Sequence, residues 1–530
     1  MPKKPTLRSR SLILALAGLL CTACSFAFWK QLVSLYPATF GNLGFLASVA
    51  ACYLALTALL LTLFDFPYLF KPAAIALVLG ASVAAYFMDA YHVVIDPQML
   101  ANALQTDRGE VRDLMNLRFF AYLAGGLLLS AGVAVTRITR SPFPRAHLAS
   151  LAKRAAVLVA VVAVALVPCN RAWASFLREH KAVRQYANPA FPIYSVAKLA
   201  GSQLSGPAAP LERIGEDARI PAAGRERDLV IMVVGEAARP DHFSLNGYPR
   251  QTNPRLSGLD VVSFTRMVAN GTSTANSVPC MFSTLDYRTF SARKARSTEN
   301  LLDVLQRAGV HVLWRDNNSD SKGVAARVAY EDFKAEDRNP AVEGEPRDVG
   351  MLAGLQAYID QQKTGSIFIV LHQMGNHGPA YYKRYPSAFE KFKPVARTNE
   401  LGSSSPQEII NAYDNALLCT DDFLARVIQL LQKNSGRFRS AMIYSSDHGE
   451  SLGENGLYLH GMPYRFAPEE QKRVATLFWF SKGLESEAAR FRKARNLPLS
   501  HSVLFHTVLG LLGVQTKVYD PGLDIAKLAP

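Results

Sequence analysis

The stretch 270–283 combines the residue types that a hydroxyl nucleophile and a bound phosphate need. Its glycine is followed by the hydroxyl side chains of Thr272, Ser273, Thr274 and Ser277. Glycine permits a tight turn, and the first backbone N–H groups of a helix bind anions such as phosphate. A Ser/Thr cluster before a helix is more commonly a plain N-cap, so the stretch alone leaves both interpretations open.

A second group of residues has the chemistry of metal ligands. Carboxylates and imidazoles follow predicted buried strands at Glu236, His377, Asp447, His448 and His460. The carboxyl ends of parallel strands share one edge of a sheet, so these side chains are expected to converge. Their oxygen and nitrogen atoms suit zinc, with manganese as the second choice. Each residue alone is more commonly a loop residue, and only their convergence predicts a catalytic metal site.

An alternation of strands and helices must position these residues. Apolar runs typical of buried strands lie at 229–234, 310–314, 367–371, 441–444 and 476–480. Helical patterns lie between them at 301–308, 349–359 and 409–431. The alternation predicts an α/β domain with a largely parallel sheet over residues 228–530.

The beginning of the chain is dominated by longer apolar runs. Hydrophobic residues make up 49% of the 530 residues, which is high for a wholly soluble protein. A basic start also fits a signal peptide, but runs near the length of a bilayer recur at 12–29, 43–64, 73–95, 119–136 and 155–176. We therefore expect an α-helical membrane domain of five transmembrane helices at 1–176. The net charge of +15 comes without a nucleic-acid motif, so membrane lipids and not nucleic acid are the expected partner.

Basic loop residues set the predicted orientation. The loop between the fourth and fifth runs has no acidic residue and contains Arg137, Arg140, Arg145, Lys153 and Arg154. The positive-inside rule places this loop and the N-terminus in the cytoplasm. An odd number of spans then puts everything after residue 176 outside, which is the periplasm in a Gram-negative cell. Residues 177–227 are polar and contain several prolines, so a bridging helix and a linker are expected there.

The loop at 96–118 lies on the same outer side. Asn102, Thr106 and Glu110 are spaced at i, i+4 and i+8, so a helix would align them in one polar stripe. Such a stripe is either a solvated helix face or a site for a lipid headgroup.

Several motifs closely resemble those of the lipid A phosphoethanolamine transferases, the family that includes the colistin-resistance enzymes. The similar segments are 233–239, 246–254, 271–283, 314–323, 372–381 and 446–455. The resemblance implies an alkaline-phosphatase-like fold and a zinc enzyme that transfers phosphoethanolamine from phosphatidylethanolamine to a lipid A phosphate. It also implies a covalent phospho-threonine intermediate, a location in the Gram-negative inner membrane, and polymyxin resistance. A monomer is expected.

The resemblance further implies roles for individual residues. Thr274 would be the nucleophile, a choice among the neighbouring hydroxyls that comes from the family alone. The implied ligands of one zinc ion are Glu236, Thr274, Asp447 and His448. The residues implied around phosphoethanolamine and any second zinc ion are Asn318, Lys322, His377 and His460. The implied contacts of the donor headgroup are Asn102, Thr106 and Glu110.

The chain departs from the family in its cysteines. Familiar members have a cysteine at the position of Asn270, able to pair with that of Cys280, and further pairs in loops near 332–347 and 394–406. These pairs are missing here, since only Cys280 and Cys419 lie outside the apolar spans. We expect both to be free thiols.

Two alternatives to lipid A modification stay open. One is a related transferase that adds phosphoethanolamine or glycerophosphate to another envelope glycan. The other is a non-catalytic, membrane-anchored sensor, which the complete set of predicted zinc-binding residues argues against.

Overall fold

A computed structural model of the chain describes residues 6–105, 108–140, 144–204, 210–221 and 226–528. The chain divides into two compact units. The first consists of Met1–Ala101 and Leu114–Ser205, and the second of Asn102–Asp113 and Gly206–Pro530. The later boundary, between residues 205 and 206, falls inside the linker predicted at 177–227.

Helices build the first unit. In chain order, with the unit boundaries falling inside α5 and next to the end of α6, they are α1 (Ser9–Thr22), α2 (Phe26–Leu35), α3 (Phe40–Leu63), α4 (Phe70–Ala90), α5 (Pro97–Gln105), α6 (Arg108–Leu114), α7 (Leu117–Val135), α8 (Pro144–Leu166), α9 (Asn170–Glu179), α10 (Lys181–Arg184) and α11 (Ala190–Leu204). Two short parallel strands, β1 (Thr6–Arg8) and β2 (Arg137–Thr139), accompany them. Helices α3, α4, α7 and α8 are long and apolar enough to cross a membrane, and α1 with α2 form a fifth candidate that is bent by 59°.

The first and the fifth predicted spans differ most from the helices of the structure. The run at 12–29 is interrupted between α1 and α2, where the Ser25 hydroxyl donates to the carbonyl of Leu20 at 2.8 Å and competes with the helical backbone. The run at 155–176 is replaced by α8, which starts earlier and ends before Pro168. Proline lacks an N–H group and disfavours helical backbone at the residue before it, so the helix ends although apolar residues continue.

A seven-stranded sheet forms the centre of the second unit. The strands of this unit are β3 (Asp228–Gly235), β4 (Val261–Phe264), β5 (Met267–Val268), β6 (His311–Asp316), β7 (Ala329–Asp332), β8 (Ile367–His372), β9 (Arg439–Ser446), β10 (Ser451–Leu452), β11 (Tyr458–Leu459), β12 (Thr476–Phe480) and β13 (Leu499–Ser500). The order in the large sheet is β4-β12-β9-β3-β8-β6-β7. Strands β9, β3, β8, β6 and β7 pair in parallel, and β12 is antiparallel to both of its neighbours. The prediction of a largely parallel sheet is confirmed.

The predicted strands correspond to β3, β6, β8, β9 and β12. Every residue of β3 is buried, because a strand in the middle of such a sheet is covered on both faces. Strand β7 was not predicted, since it lies at the sheet edge and its residues are exposed or half-buried. Strand β4 is short and also lies at an edge.

Helices pack around this sheet. They are α12 (Thr274–Met281), α13 (Ala292–Ser297), α14 (Leu301–Arg307), α15 (Leu355–Gln361), α16 (Pro406–Lys433), α17 (Glu485–Ala494), α18 (Ser502–Leu511) and α19 (Ile525–Leu528). The longest, α16, starts with a capping box between Ser405 and Glu408, and Pro406 occupies its first position.

All six cysteines are free thiols, which confirms the expectation for Cys280 and Cys419. Burial raises the pKa of both thiols to about 12. The side chain of Asn270 donates to Cys280 Sγ at 3.3 Å. A hydrogen bond therefore stands where familiar family members are expected to have a disulfide.

Candidate active site

Thr274 is the first residue of α12. Gly271 allows the turn before it, because a Cβ at this position would lie 2.8 Å from the backbone nitrogen of Ser277. The turn places the Thr274 hydroxyl 3.1 Å from Glu236 Oε2 and 3.5 Å from His448 Nε2. Thr274 is 8% exposed, so its hydroxyl faces a buried polar cluster from the amino end of a helix.

Glu236, Asp447 and His448 follow two neighbouring parallel strands. Glu236 comes directly after β3, and the other two come directly after β9, with the last residues of the two strands in register. All three side chains are buried. His448 Nε2 lies 3.2 Å from Glu236 Oε1 and 3.3 Å from Asp447 Oδ2. One ligand atom from each residue lies within 4.8 Å of the others, so a single ion can contact all three.

The donor set of this cluster fits a zinc ion. Among the residues that the structure describes, no donor hydrogen-bonds to Glu236 Oε1 or Asp447 Oδ2, although both oxygens are buried. Buried anionic oxygens need a compensating cation. Two carboxylates and one imidazole, with the Thr274 hydroxyl beside them, match the ligand types of catalytic zinc.

Charge coupling in the cluster leads to the same conclusion. Burial works to lower the pKa of His448, but the charges of Asp447 and Glu236 raise it to about 10. Burial, followed by repulsion from Glu236, raises the pKa of Asp447. Burial also works to raise the pKa of Glu236, yet the attraction of His448 holds it below its usual range. The imidazole and the two carboxylates are thus strongly coupled, and a bound divalent cation would compensate the negative charge of both carboxylates.

Two further groups of potential metal ligands lie beside the first. One consists of Glu236, His377 and His460, and the other of His448, Glu450 and His460. His460 Nδ1 lies 3.0 Å from Glu450 Oε2. Burial raises the pKa of the Glu450 carboxyl to about 8. Glu450 is absent from the predicted site, although its position two residues after His448 is a signal that could have pointed to it.

Asn318 and Lys322 lie in the loop after β6. The Asn318 side chain donates to Glu236 Oε2 at 2.9 Å and to the carbonyl of Gln373 at 2.6 Å. Lys322 Nζ donates to the carbonyl of Ser319 at 2.5 Å. The backbone of Lys322 has φ +53°, in the left-handed region. Strain of this kind clusters at functional sites.

The predicted headgroup stripe is described only in part. Asn102 Oδ1 accepts a long hydrogen bond of 3.4 Å from the hydroxyl of Ser273, the residue before Thr274. Thr106 lies outside the described residues, and Glu110 is part of α6 without a described side chain. One of the three predicted residues is therefore seen beside the nucleophile.

Asp113, which is absent from the predicted site, ties the segment Asn102–Asp113 to the rest of the second unit. Its carboxylate contacts Lys383 and lies 2.5 Å from Arg384 Nη2. Arg384, with 4% of its side chain exposed, also donates from Nε to the carbonyl of His377 at 2.8 Å. A buried charge pair thus connects this segment with the backbone of a predicted substrate residue.

We expect Asp113→Asn to lower the free energy of unfolding of the full chain in detergent by roughly 3 kcal/mol, the usual cost of breaking a buried ion pair. Denaturant titration measures this change. Asp260→Asn is the matched control, because its ion pair with Arg492 is exposed and exposed pairs contribute only about 0–1 kcal/mol. Equally small effects of the two substitutions would contradict the role given to Asp113.

The buried side chain of His501 contacts the turn before α12 and the first turn of that helix. Its Nδ1 accepts a hydrogen bond from the backbone N–H of Asn270 at 3.4 Å and lies 3.3 Å from the Ser277 hydroxyl. Its Nε2 lies 3.0 Å from the carbonyl of Ser446. Burial lowers the pKa of His501 to about 3, so the ring is neutral in the folded protein. No sequence motif marked His501, because its role depends on burial alone.

This neutral histidine predicts a loss of stability in acid. The unfolded chain binds a proton at His501 below a pKa of about 6.5, and the folded chain binds it only near 3. The contribution of the neutral His501 ring to the free energy of unfolding is therefore fully present above pH 6.5 and is lost as the pH drops towards the folded pKa. Between about pH 6.5 and pH 4, the free energy of unfolding should decrease by about 1.4 kcal/mol per pH unit more in the wild type than in His501→Gln. Parallel pH profiles of the two proteins would contradict this expectation.

The arrangement of these residues defines a class of protein. A largely parallel sheet with carboxylates and imidazoles at its strand ends, facing a hydroxyl at the start of a helix, is an alkaline-phosphatase-like fold. Residues 228–514 match the sulfatase family. Residues 53–204 match the family described as phosphoethanolamine transferase EptA/EptB.

Similarity to individual proteins extends over nearly the whole chain. Phosphatidylethanolamine transferases Mcr-2 and Mcr-1 from Escherichia coli are 43% and 42% identical, over 94% and 96% of both chains. The solved structure of the integral membrane protein lipooligosaccharide phosphoethanolamine transferase A (EptA) from Neisseria meningitidis is 30% identical, with a TM-score of 0.93 over 99% of both chains. The chain belongs to the phosphoethanolamine transferase family.

Proposed function

We propose that this protein transfers phosphoethanolamine from phosphatidylethanolamine to a phosphate group of lipid A. The observation that carries the proposal is the buried hydroxyl of Thr274, 3.1 Å from Glu236 and 3.5 Å from His448 at the start of a helix. The relatives support the choice of substrates by their names, which specify phosphatidylethanolamine for the Mcr proteins and lipooligosaccharide for the meningococcal protein.

In the first half-reaction Thr274 Oγ1 attacks the phosphorus of the donor. A bond forms between this oxygen and phosphorus while the bond from phosphorus to the diacylglycerol oxygen breaks. Glu236 Oε2 accepts the hydrogen bond of the Thr274 hydroxyl and orients it for attack, and the hydroxyl proton passes to solvent. His460, whose ring is oriented by Glu450 and whose centroid lies 4.0 Å from that of His448, gives a proton to the leaving oxygen.

In the second half-reaction an oxygen of the acceptor phosphate attacks the phosphorus held on Thr274. The bond to Thr274 breaks, its hydroxyl regains a proton, and His460 removes any proton that the acceptor oxygen carries. Asn318 and Lys322 provide side-chain donors beside the site, and the N–H groups at the start of α12 favour an anionic phosphoryl group. The phosphoethanolamine group is therefore transferred twice, first from the donor to Thr274 and then from Thr274 to the acceptor.

Metal binding is part of the proposal. Glu236, Asp447, His448 and Thr274 would hold one zinc ion, and the group of Glu236, His377 and His460 would hold any second one. The proton transfers of His460 described above apply to the state without that second ion, because a ring nitrogen bound to metal cannot carry a proton. Manganese is less suited to a set that contains imidazole nitrogens. Bound zinc lowers the pKa of a hydroxyl and offsets negative charge on phosphoryl oxygens.

The segment Asn102–Asp113 is proposed to contact the donor headgroup. Asn102 lies beside Ser273, next to the nucleophile, and Thr106 and Glu110 continue the same stripe of the sequence. The orientation predicted from loop charge places the N-terminus in the cytoplasm and the catalytic unit in the periplasm, at the inner membrane. A monomer suffices, since every proposed site residue comes from one chain. Added ammonium groups on lipid A would reduce its negative charge and confer polymyxin resistance.

Mass spectrometry of lipid A from cells with and without this gene tests the function. Expression of the wild type should add the mass of one phosphoethanolamine group to lipid A. Unmodified lipid A together with a phosphoethanolamine-bearing core sugar would favour the other envelope acceptors. Addition of glycerophosphate in place of phosphoethanolamine would contradict the proposal that phosphatidylethanolamine is the donor.

A further inference from the structure

A cavity of about 270 Å³ lies against the nucleophile helix, and of its lining residues only Lys322 takes part in the steps above. Ala275, the residue after Thr274, forms part of its wall together with Pro279 one turn later. Helix α13 contributes Arg296, and the strained loop after β6 contributes Lys322. Small-molecule sites usually measure about 300–1,000 Å³, so this cavity accommodates a headgroup and not a whole lipid.

Positive charge dominates the lining. The cations are Arg296, Lys322 and Arg327, and the only carboxylate of the lining is Glu299. Both oxygens of Glu299 are bound by Arg307, at 2.7 and 2.8 Å. Arg327 forms an ion pair with Asp303, with 2.6 Å between Nε and Oδ1, so its charge is compensated. Arg296 is exposed and forms no ion pair within the described ranges, so the cavity keeps a net positive charge that favours an anion.

The cavity wall also offers a hydrogen-bond acceptor. In α12 the carbonyl of Ala275 would normally bind the N–H group four residues later, but that residue is Pro279, which has none. Both residues lie in the cavity wall. The carbonyl of Ala275 therefore lacks its usual helical donor, which leaves it as the candidate acceptor for a hydroxyl group of a ligand.

We propose that this cavity binds the phosphorylated sugar ring of the acceptor, and the proposal rests on the proposed function. Arg296 and Lys322 bind the phosphate, and the Ala275 carbonyl binds a sugar hydroxyl. The donor headgroup carries a phosphate too, but its ammonium group is repelled by a net positive lining. Ala275 directly follows Thr274 in α12, so a phosphosugar held here is bound to the helix that carries the nucleophile, one residue further along it.

Steady-state kinetics of the full chain in mixed micelles test this assignment. Arg296→Glu should raise the KM for lipid A by roughly tenfold or more, the effect expected from losing a charge-assisted hydrogen bond to phosphate. The KM for phosphatidylethanolamine should change much less. Lys294→Glu is the matched control, because it reverses the same charge on α13 outside the cavity lining. A change in the donor KM instead, or equal effects of the two variants, would overturn the proposal.

Direct binding separates this proposal from the proposed function. Calorimetry with glucosamine 1-phosphate as the probe should detect binding to the wild type and to Lys294→Glu, but not to Arg296→Glu. Ala295→Trp, which fills the cavity from α13, should also abolish binding. If the probe binds while lipid A is not a substrate, the function is wrong and the cavity assignment survives. Binding that persists in Arg296→Glu overturns the assignment, and this holds even if Ala295→Trp fails to fold.

Discussion

Thr274→Ala should reduce transfer of phosphoethanolamine to lipid A by roughly 10³-fold or more, because the covalent route ends with the loss of its nucleophile. The variant should remain folded and in the membrane, since the change removes only a hydroxyl and a methyl group. Activity is measured as labelled phosphoethanolamine appearing in lipid A, alongside the thermal stability of the same preparation.

Two substitutions serve as controls for this result. Thr274→Ser keeps a hydroxyl at the same place and should restore part of the activity. Thr272→Ala makes the same chemical change two residues earlier, where the hydroxyl donates to the carbonyl of Met462 at 2.6 Å. It should lower stability by about 1 kcal/mol and retain transfer. Similar losses in Thr272→Ala and Thr274→Ala would point to damage of the loop and not to a nucleophile.

Asp447→Asn is expected to abolish tight zinc binding together with transfer activity. Two buried carboxylates flank His448 Nε2, with Glu236 Oε1 at 3.2 Å and Asp447 Oδ2 at 3.3 Å. The substitution replaces the second carboxylate with a neutral amide, which is a poor ligand for zinc. Chelation of the wild type should have the same effect on transfer, and added zinc should reverse chelation but not the substitution. Elemental analysis of the purified chain measures the metal directly.

Asp421→Asn is the matched control for the metal prediction. Asp421 is also a buried carboxylate, but it accepts hydrogen bonds from the backbone of Arg255 and Leu256 outside the site. Its variant should keep both zinc and activity at permissive temperature. Full transfer by a thoroughly chelated wild type that contains no metal would refute the metal site.

Apolar patterning explains why much of the fold could be predicted from the sequence. Strands β3, β8 and β9 are central and parallel, so both faces are buried and each strand is a continuous apolar run. The antiparallel direction of β12 cannot be obtained in this way, because an apolar run carries no information about strand direction. Similarly, the hydropathy pattern continues past Pro168 although the helix does not.

The sequence alone predicts that Glu236, Asp447 and His448 lie close together, because they directly follow recognisable strands whose carboxyl ends share one edge of the sheet. The choice of Thr274 needed the family resemblance, since four neighbouring hydroxyls have similar local sequence. Asp113 could not be found, because its partner Arg384 lies 271 residues away in the sequence. Such residues acquire their roles only through burial against distant parts of the chain.

Intact-mass analysis of the wild-type chain, incubated with phosphatidylethanolamine and no acceptor, tests the central claim most directly. The account predicts an adduct with the mass of one phosphoethanolamine group, located on Thr274 by peptide sequencing, absent from Thr274→Ala and lost when lipid A is added. An adduct on another residue, or transfer to lipid A at the normal rate without any adduct, would contradict it.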